Sequence, residues 1–293
     1  MKLLSFSVDG HEKYGLITPD GIIDLYPFFP ECPDLRSFLP HLQQLNQGML
    51  LGKKADYSLD QIGFLPVITR PNKIICAGMN YQEKRAEFNE QDPDPTLFIR
   101  FADSQTGHRC GLIKPSRSNE FDYEGELALV IGRHGSHIPA DQARGYIAGY
   151  SCYMDGSVRD WQHTWFTAGK NWPATGGFGP WLVTPDEISD PQNLEIITRL
   201  NGREVQHDNT HSMIHSIDKL IAYISTFSAL SPGDVILTGS PGGVGKKRHP
   251  PLFLWPGDVV EVEISQIGSL VNPVIAEVDD TPYSANPVYT NAS

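Results

Sequence analysis

The residues best suited to chemistry lie in one strand-like stretch, residues 121–131. Glu124 and Glu126 stand two apart where the apolar run that ends at Ile131 begins. Residues two apart in a strand share a face, so the two carboxylates project side by side. Adjacent carboxylates repel each other, and a divalent cation with a preference for oxygen ligands, such as Mg²⁺, relieves that repulsion. An exposed glutamate pair at the solvated end of a strand remains the alternative.

A third oxygen ligand is available about thirty residues later in the chain. Asp155 follows a strand-like apolar run and precedes Gly156, a position where a rigid element gives way to a loop. The guanidinium of Arg159, four residues on, suits a carboxylate substrate or a structural acid equally well. Lys170 lies in a loop dense with aromatic residues, and its position alone favours an exposed lysine.

A glycine-rich loop follows the strand-like run that ends at Thr238. Its residues, Gly239-Ser240-Pro241-Gly242-Gly243, expose backbone N–H groups that can bind an anion. The loop has neither the Gly-Lys-Ser/Thr ending of a P-loop nor the dinucleotide fingerprint, so we expect no nucleotide site. A turn without a ligand remains the alternative.

Composition excludes several classes of protein. The chain of 293 residues carries a formal net charge of −12, which disfavours nucleic acid as a partner. No apolar window is long enough to span a membrane or to serve as a signal peptide. The four cysteines show no paired spacing, so we expect reduced thiols in a cytoplasmic protein.

The distribution of strand and helix signals predicts the domain organisation. Residues 1–70 read as a small N-terminal α+β domain, and residues 71–285 as a catalytic domain rich in strands. An amphipathic helix is predicted for residues 216–230, and a short tail for residues 286–293. Because strands and helices do not alternate regularly, we expect a mixed α+β fold rather than a TIM barrel or a doubly wound sheet.

Several separated blocks together resemble the fumarylacetoacetate hydrolase family, in the family's order and over residues 71–275. The similarity is to its smaller bacterial-type members, which include acylpyruvate hydrolases, oxo-diacid isomerases and decarboxylases. The blocks are Gly78-Met79-Asn80-Tyr81, Asp122-Tyr123-Glu124-Gly125-Glu126-Leu127, Asp155-Gly156-Ser157-Val158-Arg159-Asp160-Trp161-Gln162, Gly169-Lys170, Gly179-Pro180-Trp181, Pro232-Gly233-Asp234-Val235-Ile236-Leu237-Thr238-Gly239 and Pro256-Gly257-Asp258-Val259-Val260-Glu261-Val262.

The resemblance implies a mixed β-roll, a homodimer and a site for Mg²⁺ or Mn²⁺. A small oxo-carboxylate substrate would chelate the metal through its oxo and carboxylate oxygens. The implied residues are Glu124, Glu126 and Asp155 as metal ligands, Tyr81, Arg159, Lys170, Gly239 and Ser240 as substrate-binding residues, and Lys84, Glu87, Arg159 and Lys170 as catalytic residues.

The chain departs from the family pattern at one position. Hydrolases of the family often carry a His–Glu dyad that activates water, and here Lys84 replaces the histidine while Glu87 is retained. A lysine is a poor base at neutral pH unless it is desolvated. Three explanations remain open: a buried Lys84 with a lowered pKa, another histidine such as His108 or His163, or a reaction that needs no water. An exposed helix pair of Lys84 and Glu87 is the structural alternative.

The sequence therefore predicts a metal-dependent hydrolase that cleaves a C–C bond in an acylpyruvate-like substrate through a metal-bound enolate. A decarboxylase or isomerase of an oxo-diacid, using Lys84, is the second hypothesis. A catalytically inactive protein that binds a metal or ligand is a third, from another class.

Overall fold

The chain is built mostly of short strands in the residues that the computed structural model describes, 1–45 and 47–278. The predicted tail, residues 286–293, lies outside these ranges. The strands are β1 (Lys2–Val8), β2 (His11–Thr18), β3 (Gly21–Asp24), β4 (Gly63–Phe64), β5 (Ile74–Gly78), β6 (Thr96–Arg100), β7 (Gln105–Thr106), β8 (Leu112–Lys114), β9 (Phe121–Asp122), β10 (Gly125–Ile131), β11 (Ile147–Asp155), β12 (Ser157–Val158), β13 (Gly176–Val183), β14 (Glu195–Leu200), β15 (Arg203–Asn209), β16 (Val235–Leu237), β17 (Val259–Ile264) and β18 (Gly268–Ala276).

Helices are few and short in the described part of the chain. The α-helices are α1 (Leu35–Phe38), α2 (Gln82–Phe88), α3 (Thr167–Lys170) and α4 (Ile217–Phe227). Short 3₁₀ helices occupy Leu39–Gln44, Gln47–Leu50, Ala102–Ser104, Ala140–Tyr146, Arg159–Trp161, Pro185–Glu187, Thr210–Ser212 and Gly245–Lys247. This is the mixed α+β fold that the sequence predicts.

Two sheets form the body of the protein. The larger has the strand order β3-β2-β1-β13-β11-β10-β16-β5-β6, with β4 paired to β1 and β7 paired to β13. The smaller has the order β15-β14-β17-β18-β8, and β9 pairs with β12 separately. Most pairings are antiparallel, but β16 and β5 run parallel, so the large sheet is mixed.

Strand β10, which begins between the two candidate glutamates, is buried on both faces. Leu127 and Leu129 belong to a core cluster that also contains Val262 of the smaller sheet. Ala128, which points to the opposite face, belongs to a second cluster that contains Phe38 of the N-terminal region. A strand covered on both faces reads as a continuous apolar run, as this one does. The carboxylates at its start therefore lie deep in the molecule.

The N-terminal strands belong to the same large sheet as the rest of the chain. β1 pairs antiparallel with β13, with Lys2 opposite Val183 and Leu3 opposite Leu182. Hydrogen bonding is therefore continuous across the predicted boundary at residue 70. Strand pairing does not test independent folding, so the division into domains 1–70 and 71–285 stays a prediction.

Helix α4 confirms the amphipathic pattern predicted for residues 216–230. The hydroxyl of Ser216 accepts a hydrogen bond from the Lys219 N–H and caps the helix. The stripe formed by Ile217, Leu220, Ile221 and Ile224 is buried. The helical spacing also places Phe227 on this stripe, but it lies at the edge in the last turn and is 64% exposed. None of the helices in the described ranges is long and apolar enough to cross a membrane.

Candidate active site

Three carboxylates meet at the paired ends of β10 and β11. Glu124 and Glu126 flank Gly125, which is in register with Met154, and the Asp155 N–H donates to the Glu124 carbonyl at 2.8 Å. One carboxylate oxygen from each of Glu124, Glu126 and Asp155 lies within 4.8 Å of the others. All three side chains are buried, so the alternative of an exposed glutamate pair is wrong.

Burial and mutual repulsion act strongly on this cluster. Burial, followed by the charges of Asp155 and Glu124, raises the pKa of Glu126 well above its usual value. Burial also opposes ionisation of Glu124, but Lys170, Lys84 and Arg159 outweigh it and hold the Glu124 pKa well below its usual value. Three buried carboxylates around one point form a hard-oxygen donor set, and a divalent cation would offset their repulsion. The residues present therefore fit Mg²⁺ or Mn²⁺.

Lys170 lies inside the cluster, so the exposed position favoured from its sequence context is wrong. Its side chain is 2% exposed, and its Nζ lies 2.5 Å from Asp155 Oδ2 and 3.3 Å from Glu124 Oε1. Burial lowers the Lys170 pKa, but these carboxylates outweigh burial and raise it overall. The ammonium also lies 4.9 Å from the centre of the Phe98 ring, which adds a cation–π contact.

Arg159 is held by carboxylates of the protein itself. Its Nε donates to Asp122 Oδ2 at 2.8 Å, and its Nη2 forms an ion pair with Glu124 Oε1 at 2.6 Å. Nη1 donates to Gln162 Oε1 at 3.3 Å. Asp122 also accepts the backbone N–H of Gly245 at 2.8 Å, which ties the segment that follows the glycine-rich loop to the same network.

Sequence reasoning missed Arg100, the last residue of β6. Its Nη1 donates to Asp155 Oδ1 at 2.5 Å and to the Gly156 carbonyl at 3.0 Å. Its Nη2 donates to Thr175 Oγ1 at 3.0 Å, and its side chain is fully buried. The available signal was a single charge at the end of the apolar run Leu97-Phe98-Ile99. Arg100 thus fixes the orientation of the third candidate ligand.

Helix α2 places Lys84 against the cluster, so an exposed helix pair is wrong for this residue. The Lys84 side chain is 3% exposed, with its Nζ 3.3 Å from Ser240 Oγ and 3.5 Å from Glu124 Oε2. Burial lowers the pKa of Lys84, and the attraction of Glu124 offsets burial only in part. The structure thereby supports the first of the three explanations for the missing histidine.

Glu87 points to the glycine-rich loop rather than to Lys84. Its Oε1 accepts the Gly243 N–H at 2.7 Å. Its Oε2 is buried and has no hydrogen-bond partner among the described residues. No hydrogen bond or ion pair joins Glu87 to Lys84 within the described ranges, so the geometry shows no dyad of the kind that the resemblance implies for hydrolases.

His108 and His163 were the histidines considered as substitutes for the missing base. In the described part of the chain, neither forms a hydrogen bond or ion pair with the three carboxylates. His108 is buried, its Nδ1 accepts the Val271 N–H at 3.0 Å, and its ring packs against Phe64. Burial, followed by the charge of Arg109, lowers the pKa of His108 to about 4. His163 is exposed. Of Lys84 and these two histidines, Lys84 is therefore the one that contacts the carboxylates in the described structure.

The predicted substrate-binding residues also converge here. Ser240 Oγ donates to Glu124 Oε2 at 3.0 Å, and the Gly239 N–H donates to Glu126 Oε2 at 2.9 Å. Gly239 has a φ of +94°, and an added Cβ would lie 2.8 Å from the Ala77 carbonyl oxygen, so only glycine fits. Tyr81 is fully buried, and its hydroxyl has no hydrogen-bond partner in the part of the chain that the structure describes. Burial, followed by the charge of Glu126, raises the pKa of Tyr81 well above its usual value.

A second group of possible ligands lies in the N-terminal region. Glu31, Cys32 and His41 also bring ligand atoms within 4.8 Å of one another. Glu31 is exposed, and the Cys32 thiol donates to the Ser37 carbonyl at 3.5 Å. Burial, followed by the nearby Glu31 and Asp34, raises the pKa of Cys32, whereas a metal needs the thiolate. This group is a poor match for a metal site.

Comparison with known proteins identifies the family of this chain. The family model described as fumarylacetoacetate (FAA) hydrolase C-terminal matches residues 73–275. The chain belongs to the fumarylacetoacetate hydrolase family. The match spans the strand pair β10–β11, Lys84, Lys170 and the glycine-rich loop.

Relatives within the fumarylacetoacetate hydrolase family differ in the activities that they are named for. The mitochondrial oxaloacetate tautomerase Fahd2a of Rattus norvegicus is 39% identical over 268 residues, which is 87% of this chain and 84% of the relative. The fumarylacetoacetate hydrolase of Exiguobacterium antarcticum is 31% identical with a TM-score of 0.84, over 94% of this chain and 100% of that structure. The maleylpyruvate hydrolase of Sphingobium sp. SYK-6, in complex with manganese(II) and pyruvate, is 25% identical with a TM-score of 0.80, over 94% of this chain and 99% of that structure.

Proposed function

We propose that this protein is a divalent-metal-dependent isomerase that interconverts the keto and enol forms of a small oxo-diacid. The observation that carries the proposal is the position of Lys84, buried beside Glu124 and Ser240 with its pKa lowered. A buried amine of this kind can carry a proton between carbon and oxygen and needs no activated water. The similarity to an oxaloacetate tautomerase supports this choice among the family's reactions.

In the reaction that we assign to Lys84, one proton moves from a carbon to an oxygen of the same substrate, so the substrate gains and loses no atoms. In its unprotonated form, the Lys84 amine takes a proton from the carbon next to the carbonyl group. The C–H electron pair becomes the C=C bond, and the carbonyl oxygen gains the negative charge. The proton then goes to that oxygen, which gives the enol, and the reverse steps give the ketone.

The other cations of the site act on the developing negative charge. Lys170 stays protonated because Asp155 and Glu124 raise its pKa, so its ammonium can stabilise a nearby oxyanion. Mg²⁺, or alternatively Mn²⁺, held by Glu124, Glu126 and Asp155, would supply further positive charge there. Arg159, Tyr81, Gly239 and Ser240 remain our candidates for holding the substrate.

C–C bond hydrolysis, the first hypothesis from the sequence, is now the second candidate. The similarity to a maleylpyruvate hydrolase favours it. It requires a base that activates water, and one carboxylate oxygen of Glu87, the remaining member of the dyad, is engaged with the Gly243 N–H. Decarboxylation of the same substrates needs no water either, and it is an outcome that the assay below distinguishes.

The assay follows enol-oxaloacetate by the loss of its ultraviolet absorbance, with Mg²⁺ and then with EDTA. We expect metal-dependent conversion that falls by about a hundredfold in Lys84→Met, because general acid–base catalysis contributes factors of this order. Lys219→Met, at an exposed position on α4, is the matched control and should retain the native rate.

Release of CO₂, or cleavage of acetylpyruvate by the native protein, would replace the isomerase proposal with the decarboxylase or the hydrolase. Hydrolysis gained only in Lys84→His would show that the missing histidine sets the reaction. Metal binding without turnover of either substrate would favour the catalytically inactive alternative.

Location and assembly remain proposals as well. The four cysteines are buried and unpaired, which fits a reducing compartment. We retain the cytoplasm as the expected location, although the rat relative is mitochondrial. A homodimer remains the expected assembly, with a mass twice the 32.5 kDa of the chain.

A further inference from the structure

Gln206, on strand β15 of the smaller sheet, joins two parts of the candidate active site that belong to other elements. Its side-chain Oε1 accepts the Gly125 N–H at 2.9 Å. Its Nε2 donates to the carbonyls of Pro241 at 2.9 Å and Gly242 at 3.3 Å. The side chain is 3% exposed, so solvent does not compete for these bonds. Neither the sequence patterns nor the proposed proton transfer assigns Gln206 a role.

The hydrogen bond to Gly125 holds the first residue of β10, beyond the point where the neighbouring strand β16 stops pairing with it. The pairing of β10 with β16 extends only as far as Ala128, opposite Leu237. Gly125 lies beyond that pairing, between the two candidate glutamate ligands, and the glutamine oxygen takes the place of a strand carbonyl. The approach of the smaller sheet is close, because a Cβ on Gly125 would lie 2.1 Å from Thr198 Oγ1.

The bonds to Pro241 and Gly242 hold the loop that carries the partners of the same glutamates. Immediately before these carbonyls, the Gly239 N–H contacts Glu126 and the Ser240 hydroxyl contacts Glu124. One amide group therefore bridges the strand that supplies the carboxylates and the loop that contacts them. A glutamine suits this task because it offers an acceptor and two donors at a single planar group.

We propose that Gln206 is a positioning residue for metal binding: it sets the distance between Gly125 and the glycine-rich loop, and so the geometry of Glu124 and Glu126. The proposal rests on the metal site of the proposed function, but it does not depend on which reaction that site catalyses. Residues that orient metal ligands through hydrogen bonds typically change metal affinity by about 10–100-fold when they are altered.

The test is Gln206→Glu, with the affinity for Mn²⁺ measured by titration calorimetry on the whole chain. The variant keeps an acceptor for Gly125, but it presents an oxygen to the carbonyls of Pro241 and Gly242 in place of the two donors. We expect Mn²⁺ affinity to fall by about tenfold, the lower end of the range for residues that orient metal ligands.

Gln192 supplies a matched control, because its Oε1 also accepts a backbone N–H, from Ile217 at 3.0 Å, and its Nε2 donates to the Thr210 carbonyl at 2.5 Å. Gln192→Glu should lower the thermal unfolding midpoint without changing Mn²⁺ affinity. If Gln206→Glu does not fold, Gln206→Asn tests the same role, because asparagine keeps an amide but is too short to reach both partners. We expect Gln206→Asn also to weaken Mn²⁺ binding.

Native Mn²⁺ affinity in a folded Gln206 variant would overturn the positioning role, and so would an equal loss of affinity in Gln192→Glu. A native protein that binds no Mn²⁺ would instead overturn the metal site itself, together with this inference. Loss of affinity in the Gln206 variants alone, combined with failure of the tautomerase assay, would leave the positioning role standing and reject only the proposed reaction.

Discussion

The candidate metal ligands and the cations around them differ in how far their roles follow from local sequence. The two-residue spacing of Glu124 and Glu126 predicts a shared face, because alternation along a strand is a local property. The burial of Lys84 and the contact of Arg100 with Asp155, 55 residues away, depend on segments that meet only in the folded chain. Local spacing therefore indicates the carboxylates, but it carries too little information on the cations around them.

His108 makes a prediction about stability rather than activity. Burial, followed by Arg109, lowers its pKa to about 4 from the usual 6.5. Between pH 4 and pH 6.5, His108 is protonated in the unfolded chain but not in the folded protein. The contribution of His108 to the free energy of unfolding is therefore fully present above pH 6.5, and it is lost as the pH drops towards 4. The loss attributable to His108 is about 2 kcal/mol by pH 5.

Urea unfolding of the native protein and of His108→Asn, at pH 7 and pH 5, measures this contribution. The asparagine keeps an acceptor for the Val271 N–H but does not titrate, so the variant should lose less stability on acidification. His11→Asn, at an exposed position of β2, should behave as the native protein does. Equal pH dependence in all three proteins would show that His108 titrates normally.

At the scale of elements, the sequence predicts which segments form strands and helices better than it predicts how they dock. Continuous apolar composition identifies β10, and the stripe from Ile217 to Ile224 identifies α4. The docking of α2 onto the glycine-rich loop has no such periodic signal. It depends on contacts such as Glu87 Oε1 with the Gly243 N–H and Lys84 Nζ with Ser240 Oγ, each between residues that are 156 apart in sequence.

The contact of Glu87 with the Gly243 N–H predicts that Glu87 anchors α2 and is not a base. Glu87→Gln keeps an acceptor oxygen for Gly243, so its turnover should stay within about threefold of the native rate, whereas general-base catalysis typically contributes at least a hundredfold. Glu87→Ala removes the anchor of the helix that carries Lys84, and turnover should fall by about tenfold, since small displacements of catalytic groups are costly.

Steady-state kinetics of the two variants distinguishes the roles, with Glu83→Ala, an exposed acid on the same helix, as the control. If Glu87→Gln were as inactive as Glu87→Ala, a proton-transfer role for Glu87 would replace the anchoring role.

At the scale of the whole molecule, the family model and the large sheet begin at different residues of the chain. The family model matches residues 73–275, and its start lies close to the domain boundary predicted at residue 70. The large sheet nevertheless begins at Lys2, because β1 pairs with β13. Local composition indicates where a segment changes character, but strand partners far apart in sequence are set by the global packing. The mixed fold was therefore predictable, whereas the continuity of the sheet was not.

The central claim is that the buried site moves a proton at the carbon next to a carbonyl group, using Lys84 and a divalent metal. The most direct measurement is the incorporation of deuterium from D₂O into that CH₂ group of oxaloacetate, followed by NMR. We predict exchange well above the uncatalysed rate with Mg²⁺ or Mn²⁺, abolished by EDTA and lowered by about a hundredfold in Lys84→Met. Exchange that is unchanged in Lys84→Met, or independent of the metal, would contradict the account.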